Sequence, residues 1–289
     1  MMQAALLEWA VEHGRDLPWR RTRDPWAVLV SELMLQQTQV TRVVPAWRAF
    51  LDRFPSPVEC ADAPVAEVVR AWAGLGYNRR AVNLHRTATM LVERHGGRLP
   101  RSLPQLLELP GVGPYTARAV LVFAYEHAVG VLDTNAARVV ARAGAGRRLG
   151  PAEAQSLADG LVPRSAPWAW NQAMLDLGAT VCTSRAPRCD VCPLAAANSC
   201  AWRRAGCPDA DPAAGSAGTS GRQSKFAGSD RQGRGRLVAA LRLGPVVVGD
   251  LAATMGWPGD EQRAAAVAAG VIADGLAIAD DAGNLRLGD

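Results

Sequence analysis

Lysine is almost absent from this 289-residue chain, although the chain is basic. Its 32 lysines and arginines include a single lysine, Lys225, and the formal net charge is +5. Chemistry that needs a lysine amine therefore has one candidate, which lies late in the chain. A run of about 18 apolar residues, the length that a membrane span requires, is also missing, and Glu8 and Glu12 interrupt the first apolar stretch. We therefore expect a cytoplasmic protein without membrane attachment, in which disulfides are not expected.

The excess of positive charge lies before residue 225. Residues 1–224 carry 25 basic and 19 acidic side chains, whereas residues 225–289 carry 7 and 8. An excess of arginine favours a polyanionic partner, and its location predicts that the main binding site is in the first part of the chain. Charge alone does not identify the partner, because many basic proteins bind no nucleic acid.

Strand-like alternation is missing before residue 208, where apolar residues recur at spacings of three and four. This pattern predicts an all-α unit over 1–207. Its predicted helices are 25–37, 40–54, 63–75, 78–96, 116–126, 135–143 and 151–162. Residues 208–224, rich in Pro, Gly, Ala and Ser, predict a flexible linker. Residues 225–289 predict three helices and two short strands around an Asp-Ala-Gly-Asn turn, which resembles a small winged-helix module.

The segment LPGVGPYTARAV (109–120) predicts a tight turn that leads into a helix. Gly111 and Gly113 would let the backbone pass close to a ligand. The amide groups of the turn and of the helix start would then point outward, at the positive end of the helix dipole. This arrangement favours a phosphate cradle over an ordinary helix–helix turn, and such a cradle grips a nucleic acid backbone without reading its sequence.

Five of the six cysteines lie between residues 182 and 207. Four of them have a spacing that suits one metal group: Cys182, Cys189, Cys192 and Cys200. Four thiolates can bind a zinc ion or an iron–sulfur cluster. Buried thiols without a metal are the alternative, and Cys207 is a second candidate for the fourth ligand.

Two acidic residues have a local sequence that suits chemistry. Glu32 interrupts the apolar part of the helix 25–37, and burial there would raise its pKa toward that of a useful general acid. A solvent-facing glutamate is the alternative. Gln36 and Gln37 follow as amides that could hydrogen-bond base edges or enter a base stack. Asp133 precedes a helix and, taken alone, is explained as its N-cap.

Together these motifs resemble those of the helix-hairpin-helix DNA glycosylase superfamily and, within it, the adenine DNA glycosylases. The resemblance runs from about Leu6 to Cys200. It is carried by DLPWRRTRDPWAVLVSELMLQQTQV, AWAGLGYNRRAVNLHRTA, LPGVGPYTARAV, VLDTNAARVVAR and WNQAMLDLGATVCTSRAPRCDVCPL. It implies an all-α helix-hairpin-helix glycosylase fold, in which a six-helix barrel domain faces an iron–sulfur domain and the target adenine is flipped out of the duplex between them.

The resemblance also implies roles for individual residues. Glu32 matches the catalytic acid that protonates adenine, and Asp133 matches the carboxylate that stabilises positive charge on the sugar. Asn135 would orient a carboxylate, and Tyr115 matches the residue beside the sugar. The residues that would contact DNA are Gln36, Gln37, Tyr77, Leu109, Gly111, Val112 and Gly113, and among them Gln37 and Tyr77 match residues inserted in the base stack near the lesion pair. The adenine pocket would be lined by Trp19, Arg20 and Asp176. The [4Fe–4S] cluster would be held by Cys182, Cys189, Cys192 and Cys200.

The near-absence of lysine then distinguishes between subfamilies. Bifunctional relatives that resemble endonuclease III place a lysine at the position of Tyr115. We therefore predict a monofunctional adenine DNA glycosylase of base excision repair, which hydrolyses the N-glycosidic bond of adenine opposite 8-oxoguanine or guanine and does not cut the strand. Its expected partner is double-stranded DNA containing such a mispair, and we expect a monomer associated with the nucleoid.

Two other functions remain open at this point. The first is a thymine or uracil mismatch glycosylase on the same scaffold, against which the SELMLQQTQV context of Glu32 argues. The second is a non-catalytic iron–sulfur DNA-binding regulator, suggested by the winged-helix-like module. Such a regulator would not need Glu32 and Asp133 together.

The sequence departs from the family at three points. Seven residues separate Cys192 from Cys200, where five are usual, and Asp-Thr-Asn replaces the usual Asp-Gly-Asn at 133–135. Residues 225–289 are too few for the Nudix-like domain with which many relatives recognise 8-oxoguanine. The basic stretch 225–237 could bind a phosphate or the lesion strand, or it could be a flexible linker.

Overall fold

The structure, a computed structural model, describes residues 1–216 and 225–288. Within these residues it contains sixteen α-helices and two short strands. The helices are α1 Met2–His13, α2 Pro25–Leu35, α3 Val40–Arg53, α4 Pro57–Asp62, α5 Val65–Ala71, α6 Arg79–His95, α7 Leu103–Leu107, α8 Pro114–Phe123, α9 Thr134–Val139, α10 Pro151–Leu161, α11 Pro167–Thr180, α12 Pro193–Ala196, α13 Ala201–Arg204, α14 Asp230–Leu241, α15 Leu251–Met255 and α16 Glu261–Ala273. The strands are β1 Ala277–Ala279 and β2 Leu285–Leu287. The predicted all-α character of the first 207 residues is confirmed.

Several helix ends differ from the predicted ones for identifiable reasons. The helix predicted over 25–37 ends at Leu35, because Gln37 adopts a left-handed conformation with φ 54°. The helix predicted over 63–75 ends at Ala71, before the left-handed Gly74. The helix predicted over 135–143 continues as a π-helical turn, Val140–Ala145, which ends at the left-handed Gly146. Such turns are rare, and many of them lie at functional sites.

By its internal contacts the chain divides into two compact units. The first comprises Met1–Pro25, Arg101–Leu103 and the described part of Gly113–Arg222. Its core joins α1, α9, α10 and α11 through buried side chains such as Leu6, Val139, Trp170 and Leu177. Burial of large aliphatic and aromatic side chains provides most of the stabilisation of such helical cores.

The second unit comprises Trp26–Pro100, Pro104–Val112 and the described part of Gln223–Asp289. Its central helix is α2, in which every residue from Trp26 to Met34 is buried. A helix that is buried on all faces lies inside the surrounding structure rather than on its surface. The indole nitrogens of two buried tryptophans have hydrogen-bond partners. Trp26 Nε1, on α2, donates to Phe54 O at 2.9 Å, and Trp47 Nε1, on α3, donates to Ala27 O at 2.8 Å.

Residues 225–288 form the three helices and the hairpin that the sequence predicts. Strands β1 and β2 pair antiparallel, and Val246 forms an isolated bridge to Leu285. In the second unit, the half-buried side chain of Arg242, which follows α14, donates to Val69 O at 3.1 Å and to Asn78 Oδ1 at 2.8 Å. Whether 225–289 is an independent domain stays a prediction.

None of the helices in the described ranges, up to residue 216 and from 225 to 288, is both long and apolar enough to cross a membrane.

Candidate active site and nucleic-acid interface

The acidic residue in the middle of α2 is enclosed by the second unit. Glu32 is only 5% exposed, and its neighbours Ser31 and Leu33 on α2 are buried as well. The alternative of a solvent-facing glutamate is therefore wrong for this position. A buried carboxyl group is costly to ionise unless the surroundings compensate, which is the environment that a general acid needs.

Gln37 and Tyr77, which the resemblance assigns to the base stack, share an uncommon backbone conformation. Their φ angles are 54° and 46°, in the left-handed region that side chains with a Cβ avoid. Both side chains are exposed, Tyr77 by 40%. Residues in this conformation are strained and persist only where the surrounding structure stabilises them. They cluster at functional sites. The two loops that carry them, 35–39 and 74–78, are called here the wedge loops.

A single buried arginine connects the two wedge loops. The Arg80 Nη1 donates to Leu33 O, Met34 O and Gln36 O at 2.6, 3.0 and 2.7 Å. Its Nη2 donates to Thr38 Oγ1, Leu75 O and Gly76 O at 3.1, 3.2 and 3.0 Å. Burial lowers the pKa of Arg80 to about 10, so the guanidinium stays charged at neutral pH. Nothing in the local sequence around Arg80 marks it for this role.

The hairpin turn has the tight geometry that its glycines predict. Gly111 has φ 79°, and a Cβ added there would lie 2.9 Å from Asn83 Cβ and Nδ2. Gly113, with φ −90°, precedes α8, and a Cβ there would meet no atom within 4 Å. Leu109 and Val112 are buried, and the Val112 amide donates to Leu109 O at 3.1 Å. The side chains of Leu109 and Val112 therefore hold the turn together, and any phosphate contact would come from backbone amides other than that of Val112.

Asp133 is the N-cap of α9, as its position in the sequence predicts. Its Oδ1 accepts from the backbone amides of Asn135 and Ala136 at 2.8 and 2.7 Å. The second oxygen, Oδ2, accepts from Asn135 Nδ2 at 2.8 Å. Burial raises the pKa of Asp133, and these hydrogen bonds, led by that from Ala136, oppose the shift. A fixed carboxylate in a partly desolvated place can stabilise a positive charge that develops close to it.

Two residues that the sequence analysis did not single out position this carboxylate. Arg138 donates to Asn135 Oδ1 at 3.0 Å and to Gly178 O at 2.6 Å, and so fixes the amide of Asn135 with its nitrogen toward Asp133. A Cβ added at Gly178 would lie 2.6 Å from Asn135 O. Gly178 interrupts a helical apolar pattern, and such a glycine often marks close backbone packing. That signal could have identified it.

Trp19, Arg20 and Asp176, assigned by the resemblance to the adenine pocket, lie in the first unit. Trp19 is buried, and Asp176 is 1% exposed. Both Asp176 oxygens accept from Arg20, at 2.7 and 2.8 Å, and they also accept from the Arg15 amide and Nε, at 2.9 and 2.5 Å. This network lowers the pKa of Asp176 against the effect of burial. The carboxylate therefore fixes the side chains of Arg15 and Arg20 in the first unit.

Four cysteine side chains line one cavity in the first unit: Cys182, Cys189, Cys192 and Cys200. Burial and the neighbouring thiols raise the pKa of Cys189, Cys192 and Cys200. The buried Arg142 donates to Cys182 Sγ at 3.5 Å and pairs with Asp211 at 2.6 Å. Cys207 is not among the lining residues. Over residues 1–216 and 225–288, no three His, Cys, Asp or Glu side chains are grouped closely enough to hold a single metal ion.

The structure thus brings the site residues together in two sets. The second unit holds Glu32, Gln36, Gln37, Tyr77, Leu109, Gly111 and Val112. The first unit holds Trp19, Arg20, Gly113, Tyr115, Asp133, Asn135, Asp176 and the four cavity-lining cysteines. Tyr115 is half-buried in the first turn of α8. The helical fold, the glycine turn and the two enclosed carboxyl residues are the features of a helix-hairpin-helix DNA repair protein.

Comparison with known proteins agrees with that class. The profile described as "HhH-GPD superfamily base excision DNA repair protein" matches residues 30–164. The adenine DNA glycosylase of Mycolicibacterium smegmatis is 44% identical over 94% of this chain and 90% of its own length. The thymine/uracil-DNA glycosylase of Pyrobaculum aerophilum is 40% identical over 66% of this chain and 87% of its own length. The structure of a thermostable thymine-DNA glycosylase superposes with a TM-score of 0.64 at 28% identity, covering 71% of this chain and 95% of that one.

The chain therefore belongs to the adenine DNA glycosylase family of the HhH-GPD superfamily. The predicted family and fold class are confirmed. The roles of the individual site residues stay predictions, since the comparisons do not test them.

Proposed function

We propose that this protein is a monofunctional adenine DNA glycosylase of base excision repair. Its substrate would be double-stranded DNA with adenine opposite 8-oxoguanine or guanine, and it would act as a monomer on nucleoid DNA. Glu32 would donate a proton to the adenine ring as the N-glycosidic bond breaks, so that adenine leaves in neutral form. A water molecule would then add at the sugar carbon, which leaves an abasic site in an uncut strand.

The observation that carries this proposal is the environment of Asp133. Its carboxylate is fixed at both oxygens by the α9 amides and by Asn135, so it needs no rearrangement to act. A sugar that loses its base develops oxocarbenium character, and a preorganised anion stabilises that charge. Tyr115 would lie beside the sugar, while Glu32 supplies the second carboxyl group in its protonated form. Trp19, Arg20 and Asp176 would border the adenine pocket.

One assay tests the proposal. Duplexes with A opposite 8-oxoguanine, A opposite guanine and T opposite guanine are incubated with the protein and then treated with alkali, which cuts at abasic sites. We expect cleavage of both adenine duplexes. Cleavage of only the thymine duplex would support a thymine or uracil mismatch glycosylase, the second candidate, which the 40% identity to such an enzyme favours. Binding without release of any base would support a regulator.

A second readout of the same reactions concerns strand cleavage. The first 224 residues contain no lysine, and Tyr115 stands where a lyase would place one. We expect uncut strands in the samples without heat or alkali, with an abasic site at each released adenine. Near-stoichiometric strand cleavage without alkali would contradict the monofunctional assignment.

The four cavity-lining cysteines fit a [4Fe–4S] cluster, which would give the protein a structural cofactor. They border one cavity without converging on a single point. A four-iron cluster has one thiolate on each iron and needs wider spacing than a tetrahedral zinc ion does. Burial, with a smaller contribution from the neighbouring thiols, raises the pKa values of Cys189 and Cys200, and a cationic iron–sulfur core would stabilise their thiolate forms.

Cys200, not Cys207, is the expected fourth ligand, because only Cys200 lines the cavity. Iron and sulfide analysis of purified Cys200→Ser should show loss of most of both elements, while Cys207→Ser should keep the wild-type content. The reverse result would assign the ligand to Cys207. Cys60→Ser, which alters a buried thiol in the other unit, is the control for general effects of cysteine removal.

Asn135→Ala should shift the acid limb of the activity profile to higher pH. Burial raises the pKa of Asp133, and the hydrogen bond from the Asn135 amide counteracts part of that rise. Without this bond the pKa rises further, so a higher pH is needed to obtain the active carboxylate. The measurement is the single-turnover rate of adenine release against pH. An unchanged acid limb with a reduced plateau would show that Asn135 does not act through Asp133.

A further inference from the structure

A groove of about 880 Å³ in the second unit is lined by the wedge loops and by residues of the C-terminal module 225–288. From the wedge side come Gln36, Gln37, Thr38, Gly76, Tyr77 and Asn78. From the C-terminal side come Phe226, Arg231, Arg234, Ala239, Arg242 and Asp274. The family profile ends at residue 164, before this module begins.

The charge of the groove is strongly positive. Six arginines line it, and Asp274 is the one carboxylate among its described lining residues. Arg79 and Arg234 both pair with that aspartate. Arg42 lies on α3 and Arg231 on α14, so the wedge side and the C-terminal side each contribute a further arginine to the lining. So many arginines around one opening cost electrostatic energy, which an anionic ligand would offset.

The groove also offers flat surfaces that suit a base. The Arg231 guanidinium lies 5.4 Å from the centroid of the Phe226 ring. The same arginine donates from Nη1 to Tyr77 Oη at 3.4 Å, which joins this pair to the exposed wedge tyrosine. Phe226 is 54% exposed. Aromatic rings and guanidinium planes stack on nucleic acid bases, while arginine also contacts phosphates.

We propose that this groove is a DNA-binding subsite and that the C-terminal module supplies half of it. Arg42 and Arg231 would contact backbone phosphates from the two sides, and Phe226 with Arg231 would stack on a base next to Tyr77. Amide groups of Gln36, Gln37 and Asn78 add hydrogen-bonding capacity to the same opening. The inference rests on the proposed function for its choice of DNA, and it gives the C-terminal module a direct part in holding the substrate.

The Kd for DNA and its dependence on salt concentration test this inference. The affinity of the full-length protein for a fluorescent undamaged duplex of about 30 base pairs is measured by anisotropy at several salt concentrations. We expect Arg231→Ala and Arg42→Ala each to raise Kd roughly five- to tenfold and to lower the slope of log Kd against log salt by about one. Phe226→Ala should raise Kd by a similar factor with an unchanged slope. Arg231→Lys should keep the slope but lose part of the affinity.

Arg94→Ala is the matched control, because Arg94 is an exposed arginine of the same unit outside the groove. Thermal melting of each variant checks folding, and Arg42 lies on α3, so its variant does not depend on the stability of the C-terminal module. If Arg231→Ala, Arg42→Ala and Phe226→Ala bind like Arg94→Ala while their melting temperatures are normal, the groove does not bind DNA. Adenine release is assayed separately, and its absence in the wild type would contradict the proposed function. Whether the groove binds DNA is decided by the Kd values alone.

Discussion

Replacement of Glu32 by glutamine should reduce adenine release by a factor of roughly 10²–10⁴, the usual contribution of general acid catalysis. Glutamine has the size of glutamate and can still hydrogen-bond, but it cannot deliver a proton to the departing base. Since Glu32 is buried in the middle of α2, a neutral amide of the same size adds no charge to the interior. We therefore expect the protein to stay folded and to keep its affinity for DNA.

The decisive measurement combines the single-turnover rate with the Kd for the same mispaired duplex. Glu93→Gln, which removes an exposed carboxylate on α6, is the matched control and should leave both values unchanged. Normal turnover by Glu32→Gln would remove this residue from the mechanism. A parallel loss of binding and turnover would instead indicate that Glu32 has a structural part.

Arg80→Ala should destabilise the protein by roughly 3–5 kcal/mol, the range for loss of a buried network of charged hydrogen bonds. The substitution removes the Arg80 side-chain donors from six carbonyl oxygens and a hydroxyl. It also removes the group that stabilises the left-handed backbone of Gln37 and Tyr77. Adenine release should therefore fall by more than the loss of folded protein explains.

Urea denaturation gives the stability, and the rate is measured at a temperature where the variant is fully folded. Arg79→Ala is the control for stability: Arg79 is adjacent in sequence, is 64% exposed and pairs with the half-buried Asp274 at 3.3 Å, so its loss should cost about 1 kcal/mol or less. Arg80→Lys should rescue only part of the stability, because an ammonium group cannot reach acceptors on two loops at once. Equal stability of the two alanine variants would refute the assigned role.

The sequence predicted the helices well because their apolar periodicity and capping residues are local signals. Pro25, Gly96 and Asp133 begin or end helices where the pattern indicates. The ends of α2 and α5 were wrong because their cause is not local. The left-handed turn at Gln37 is stabilised by Arg80, which lies more than forty residues away, as in the contact to Gln36 O.

The candidate site was predicted mainly through the resemblance and not through the residues themselves. A buried glutamate and an N-cap aspartate each have an ordinary explanation when taken alone. No local pattern marks Arg138, which holds Asn135 beside Asp133, whereas the close packing of Gly178 against Asn135 could have been suspected from a glycine in a helical apolar pattern. Likewise, the bond from Arg242 to Val69 O joins segments 173 residues apart, so the sequence alone could not indicate that the C-terminal module borders the wedge loops.

The Arg80 guanidinium has a consequence for the motion of the protein. The planar guanidinium donates to oxygens of both wedge loops, so a displacement of one loop that moves this group also breaks its hydrogen bonds to the other loop. Gln37 and Tyr77 should therefore not fluctuate independently, and slow opening of one should be accompanied by opening of the other. Hydrogen exchange at the two loops would then follow a common rate, and entry of both side chains into a base stack would be one concerted event with a single barrier.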